Sequence, residues 1–308
     1  MTAVPTREGP NREGPRRKDV TPYLLIVPAI VALLVGMGYP MLWQAWTSLF
    51  HFGLAQQFGK APTFIWFENY ATLFTDPGIW AVVLRSIAFC LVNAAITVIV
   101  GILIALLMKV VGTVVRLILQ VAMLLAWAMP VIASMTVWIW LFDWRRGLVN
   151  WLLTQVGLDY TNHNWLESQL SFYFVATVIV VWMSVPFVAF SVYAGLTQVS
   201  EEVMEAAQID GAGPVRRFFS ITLPLIRPVL MIVLLLQVIW DLRVFAQIRM
   251  LQDAGADYAS TDLLGTYIYR LGVGASDFGM ASAMSVFVLF LTIALSFFYV
   301  RHLMKEDS

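Results

Sequence analysis

The chain has 308 residues, 60% of them hydrophobic and only 12% charged, with a mean hydropathy of +0.80. A soluble domain carries about 25% charged residues, so lipid is the solvent for most of this surface. Lysine plus arginine equals aspartate plus glutamate, which removes any electrostatic case for a nucleic-acid partner, and the single Cys90, in an apolar run, excludes an internal disulfide.

Residues 1–20 are polar, rich in Pro and Gly, and carry Arg7, Arg12, Arg16, Arg17 and Lys18. They read as a disordered basic cytoplasmic tail ahead of one transmembrane domain over 21–308. A cleaved signal peptide fits poorly, because the apolar run that follows is too long and no small-residue cleavage site closes a short core. No charge then occurs between Asp19 and Lys60. Further charge-free stretches cover 86–108, 117–142, 168–200 and 278–300. Each is long enough to cross about 30 Å of hydrocarbon, which takes about 20 residues. A sixth run opens at Pro228 and meets Asp241 early, yet stays mostly apolar from Val244 to Met250. The predicted architecture is all-α and polytopic, with six spans near 22–50, 82–108, 115–142, 171–197, 228–249 and 279–302. Pro130 and Pro186 read as kinks. The small residues Gly279, Ala281, Ser282, Ala283 and Ser285 read as a close-packing face.

With the N-terminus inside, twelve of the 19 basic residues fall on the cytoplasmic side, which favours both termini in. Arg145 and Arg146, in an outer segment, run against that bias. The outer segments 51–80 and 143–170 carry Trp66, Trp80, Trp144, Trp151 and Trp165, residues suited to the membrane–water interface.

One stretch departs from the general scarcity of charge. "EEVMEAAQIDGAGPVRRFFSITLPLIRP", residues 201–228, holds four acids and three arginines. Ser200 is placed to cap a helix over Glu201–Ile209, with Glu201 and Glu202 in its first turn. "DGAG" at 210–213 breaks that helix, because glycine accepts left-handed dihedrals. Pro214 starts a second short helix, Val215–Ile221, and Pro224 and Pro228 turn the chain back into the membrane. The expected product is a cytoplasmic helix–turn–helix over 200–224.

Glu205-Ala206-Ala207, Gly211, Ile221 and Leu223-Pro224 stand at the spacing of the EAA signature, and the chain resembles the permeases of ABC importers. "FENYATLFTDPGIW" (67–80), "MPVIASMTVWIWLFDWRRGLVNWLL" (129–153) and "YAGLTQVSEEVMEAAQIDGA" (193–212) are similar to binding-protein-dependent sugar permeases of the maltose and glycerol-phosphate group. "LRVFAQIRML" and "LLGTYIYRLGVGASDFGMASAMSV" resemble the subunit lacking a Trp-Asn pair in the fifth helix. Two positions depart from that group: "LQDAGADYAS" (251–260) replaces a Gly-rich segment, and Ser86 replaces an Asn. The resemblance implies half of a pore, completed by a second permease, with two ATP-binding subunits below and an external sugar-binding protein. It places Glu205, Ala206, Ala207, Asp210, Gly211, Ile221, Leu223 and Pro224 in the cleft of an ATPase. ATP and Mg would then belong to the partners. In keeping, the chain has no G-x-x-x-x-G-K-[ST] loop, and "GKAP" at 59–62 lacks the hydroxyl after lysine.

Asp241 and Arg243 are charges inside a predicted span, either functional or a structural ion pair. Gln237, Asp241 and Phe245 would share one helical stripe, and Trp240, Arg243 and Gln247 its neighbour; aromatic faces beside amides and carboxylates suit sugars. Asn93 reads as a pathway residue or as helix–helix glue. His51, His163 and His302 show no metal-ligand spacing. An ion-gradient-driven transporter is the competing function, although such proteins place acids in several spans.

Overall fold

A computed structural model describes residues 21–306; the basic tail assigned to 1–20 lies outside the described residues. The first span is α1 (Thr21–Leu33) and α2 (Tyr39–Thr47), joined by a π-helical stretch at Leu34–Gly38. Outside it, β1 (Phe50–His51) pairs antiparallel with β2 (Thr63–Phe64) around α3 (Leu54–Gln57), and α4 (Glu68–Thr75) follows. The second span, α5 (Pro77–Val110), starts where "DPG" dictates: Asp76 Oδ1 accepts from Gly78 N at 2.7 Å, and Pro77 occupies the first turn.

The third span differs from the expected continuous helix. It is α6 (Thr113–Ala128) and α7 (Val131–Leu141), bent by 102° at Met129–Pro130. Pro130 has no N–H to continue the ladder and holds the preceding residue extended, so the kink read from the sequence is a near right-angled break. Counting that pair as one crossing, the described residues give the six spans expected from composition. After α8 (Leu148–Gln155), the fourth span is α9 (Gln169–Thr197), which passes through the buried Pro186 without interruption.

Next come α10 (Glu201–Ile209) and α11 (Pro214–Arg217). Here a second expectation fails. Instead of ending near Ile221 and turning at Pro224, α11 runs through a π-helical stretch, Phe218–Thr222, into α12 (Leu223–Leu242). Pro224 stands in the first turn of α12, where no N–H is needed, and the wider π turn ahead of it relieves the ring's steric demand. The return between the fifth and sixth spans contains α13 (Ala246–Asp253), α14 (Tyr258–Thr261) and α15 (Leu264–Tyr269), and the sixth span is α16 (Phe278–Glu306).

The helices α5 and α9 form the most extensive pair. Gly101 makes it possible: a Cβ there would lie 2.5 Å from Val188 Cγ1. The helices α5 and α12 run antiparallel, since Cys90 packs with Leu242 while Ala105 packs with Ile226 and Val233. The small-residue face of α16 packs closely, as its composition requires. A Cβ at Gly279 would sit 2.3 Å from Phe50 O, and Ala281, Ser282 and Ala283 are buried.

This return packs onto the bundle as a cap. Leu263, Leu264 and Thr266 are buried. Leu264 N donates to Ser86 Oγ at 2.8 Å, Arg85 donates to Asp262 O at 3.1 Å, and Tyr173 Oη donates to Thr261 O at 2.8 Å. Buried Asp262 is itself held by Arg270 at 2.6 Å and by Gln252 at 3.1 Å.

Candidate functional site

The segment 200–224 sits at the end of α9 opposite the cap formed by α13–α15. Its first helix spans Glu201–Ile209 as the sequence requires, though the Ser200 side chain makes no capping bond, leaving Glu201 and Glu202 to complement the dipole. The helix ends in a complete Schellman turn: Ala212 N donates to Ala207 O at 2.9 Å and Gly211 N to Gln208 O at 3.1 Å. Gly211 takes φ +79°, the left-handed conformation that favours glycine. The fixed interval from Ala207 to Gly211 is thus the geometry of one turn.

Ala207 is buried, and Met204 packs on the cluster of Ala105, Val188, Leu196 and Ile226. Thr222 Oγ1 donates to Met204 Sδ at 3.8 Å, tying the first arm to the helix that follows the turn. Glu205, Ala206, Asp210, Gly211 and Pro224 are exposed; Ile221 and Leu223 are half-buried. Among the described residues Glu205 and Asp210 form no ion pair, and Arg217 reaches Gln208 Oε1 at 3.3 Å. Apolar side chains stand out beside these acids: Ile209 is 86% exposed and Val215 70%. The exposed surface thus mixes unpaired acids with large apolar groups, on a base packed against α5, α9 and α12.

The polar residues of the fifth span do not form the predicted stripes. Because α12 stops at Leu242, Arg243 becomes its C-terminal cap and Phe245 lies beyond the helix, ring against Tyr269. Gln247 belongs to α13 and donates to Met183 Sδ at 3.6 Å. Gln237 and Asp241 remain together, Nε2 to Oδ1 at 2.9 Å, and both are buried within the subunit. Asn93 is buried as well, donating to Phe89 O at 2.7 Å and reaching Thr177 Oγ1 of α9 at 3.5 Å. Trp240 and Arg243 are exposed, with Trp240 edge-on to Phe187. Asp241 and Arg243 face different surroundings and do not pair. The Asp262 network was not singled out from the sequence; its signal was an acid directly before the apolar pair Leu263-Leu264 in "TDLLGTY".

Residues 97–303 match the family described as the inner membrane component of binding-protein-dependent transport systems. The chain belongs to that family. It is 39% identical to the diacetylchitobiose uptake system permease protein DasB of Streptomyces coelicolor, over 96% of this chain and 90% of that one. It is 32% identical to the trehalose/maltose transport system permease protein MalF of Thermococcus litoralis, over 91% and 92% of the two chains. Its fold is that of a chain in the crystal structure of a bacterial alginate ABC transporter complexed with a pentasaccharide-bound periplasmic protein. The TM-score is 0.77 at 22% identity, with 92% of this chain and 93% of that one covered. This permease is therefore a multi-pass membrane component of a transport system.

Proposed function

We propose that this permease is one of two membrane subunits of an ATP-driven importer of a di- or oligosaccharide. Two ATP-binding subunits would hold ATP and Mg, and an external sugar-binding protein would deliver the solute. The observation that carries this reading is the segment 200–224, an exposed, partly apolar, unpaired acidic projection continuous with the fifth span. The continuity of α11 through the π turn into α12 supports a lever role: displacement of α10 by a closing ATPase pair would pass through the turn at 210–213 into the helix that enters the membrane. Glu205 and Asp210 offer anions to the partner, Ala207 and Gly211 fix the turn, and Ile221, Leu223 and Pro224 set the exit of the second arm.

Both termini would lie in the cytoplasm. Lys109 donates to Leu196 O at 3.2 Å and Arg116 to Met108 O at 2.8 Å, so the basic residues at this end cap carbonyls of helix C-termini. At the end of the fifth span, Trp240 and Arg243 are the residues a solute can reach in this conformation, while buried Gln237 and Asp241 bond to each other along α12 and buried Asn93 of α5 reaches Thr177 of α9. The carbohydrate assignment rests on the sugars named for the relatives. It is tested by purifying the whole assembly and measuring stimulation of ATP hydrolysis by binding protein loaded with maltose, trehalose or N,N′-diacetylchitobiose. Stimulation by one of them is expected; none, alongside stimulation by a non-sugar solute, refutes it.

A further inference from the structure

A built cleft of about 380 Å³ lies beside α8, within the range of small-ligand sites. Its walls carry Trp140, Trp144, Trp151 and Tyr160, and its rim carries Arg146, Gln155 and Asn162. The larger cleft between α5, α6 and α9, about 580 Å³, is lined by aliphatic and aromatic groups with Thr177 as its one hydroxyl, which suits acyl chains or another helix. The cleft at α8 combines ring faces with amides and guanidiniums.

The cleft is held rigidly. Buried Asn150 donates to Trp144 O at 3.3 Å and to His163 O at 2.9 Å, and accepts from Trp165 Nε1 at 2.6 Å, so one amide fixes both walls. Asp143 Oδ1 accepts from the backbone of Arg145 at 3.0 Å and of Arg146 at 2.7 Å. Gly147 closes that turn, where a Cβ would lie 2.3 Å from Asp143 O. Arg145 stacks 4.2 Å from the Trp144 ring centre, and Arg146 has no ion-pair partner among the described residues. Trp140 is 55% exposed and Trp151 57%. Two adjacent arginines at this end run against the positive-inside pattern, so topology alone gives no reason for them.

Position agrees with chemistry. The cleft precedes α9 and the segment 200–224 follows it. That helix of 29 residues separates them by about 43 Å at 1.5 Å per residue. The cleft thus lies at the end opposite residues 200–224, where solute would arrive in the orientation proposed above.

We propose that this cleft is an outer carbohydrate subsite of the permease. A pyranose presents C–H faces that stack on indole rings, and its hydroxyl or acylamino oxygens take hydrogen bonds from Arg146, Gln155 and Asn162. The proposal rests on the carbohydrate reading above. It adds a contact point distinct from the fifth span, reached before the solute enters the bundle.

The test uses the whole assembly in lipid nanodiscs without binding protein, probed by saturation-transfer NMR with maltose, trehalose and N,N′-diacetylchitobiose. Binding of at least one sugar is expected. Trp151→Ala and Arg146→Gln, both at exposed side chains, should each weaken it about tenfold, the equivalent of 1.4 kcal/mol, with thermal unfolding unchanged. ATP hydrolysis stimulated by loaded binding protein is read on the same samples. No sugar signal in the native assembly, or a signal equal in native and variant assemblies, overturns the subsite; persistent stimulation then leaves the transport reading standing. Loss of binding-protein co-sedimentation in the variants, with sugar binding intact, also overturns it and makes the cleft a protein-docking surface. Absence of both binding and stimulation with every sugar overturns the carbohydrate reading and the subsite with it.

Discussion

Replacement of Gly211 separates the geometry of the turn from the surface it presents. At φ +79° the residue lies in the left-handed region, and a Cβ built there meets nothing within 4 Å. The cost of a side chain is therefore backbone strain alone within this subunit. For alanine it is about 1–2 kcal/mol, which reduces the population of the closed turn about tenfold. Asparagine, which visits this region readily, costs less, and valine, β-branched, costs more. The two Schellman bonds at Ala207 and Gln208 are what the strain opposes. Retention of the ATPase subunits on affinity-purified permease, and sugar-stimulated ATP hydrolysis in the retained complex, should fall in the order Gly211→Asn, Gly211→Ala, Gly211→Val. Insertion into the membrane should be unchanged, because no span is touched. Equal loss with asparagine and valine would refute the argument, since contact with a partner, not the dihedral, would then decide. Full activity with valine would remove the turn from the coupling mechanism.

Other outcomes follow from packing and exposure. Gly101→Ala forces a Cβ into Val188 and should destabilise the bundle by about 1–3 kcal/mol, with Val188→Ala restoring much of the loss in thermal unfolding of the detergent-solubilised assembly. Arg243→Gln should lower sugar uptake with the assembly intact, whereas Asp241→Asn, which retains an acceptor for Gln237, should leave uptake near native in vesicle assays. In a Cys90→Ser background, cysteines at the exposed positions Ala55, Gln155 and Ala259 should react with an impermeant maleimide in intact cells, and one at Thr113 should not; the reverse pattern would invert the topology.

The sequence exposes those parts of this molecule that depend on local chemistry. Charge-free lengths located the spans, and "EEVMEAAQIDGAG" marked α10 and its terminating turn, because acids in a first helical turn and a left-handed glycine at its end are each written in single residues. The break at Met129–Pro130 was legible as a kink but not as 102°, since the angle depends on what α7 packs against, namely Trp182 and the α13 helix. Passage of the backbone through Pro224 was misread, because a π turn leaves no residue signature. The Gln237–Asp241–Phe245 stripe assumed a helix that continues past Leu242, and the burial of Asp241 depends on α5, more than a hundred residues away. The Asp262 network joins Arg85, Tyr173 and Arg270, which no local spacing brings together.

In the proposed function, this permease carries sugar on energy delivered by ATP through residues 200–224. Proteoliposomes containing the whole assembly, with the sugar-loaded binding protein on one side and ATP–Mg on the other, test it most directly. Radiolabelled sugar should accumulate with ATP present, continue when ionophores collapse ion and proton gradients, and stop when Glu205→Lys is introduced. Accumulation driven by an imposed ion gradient without ATP, or undiminished by Glu205→Lys, would contradict it.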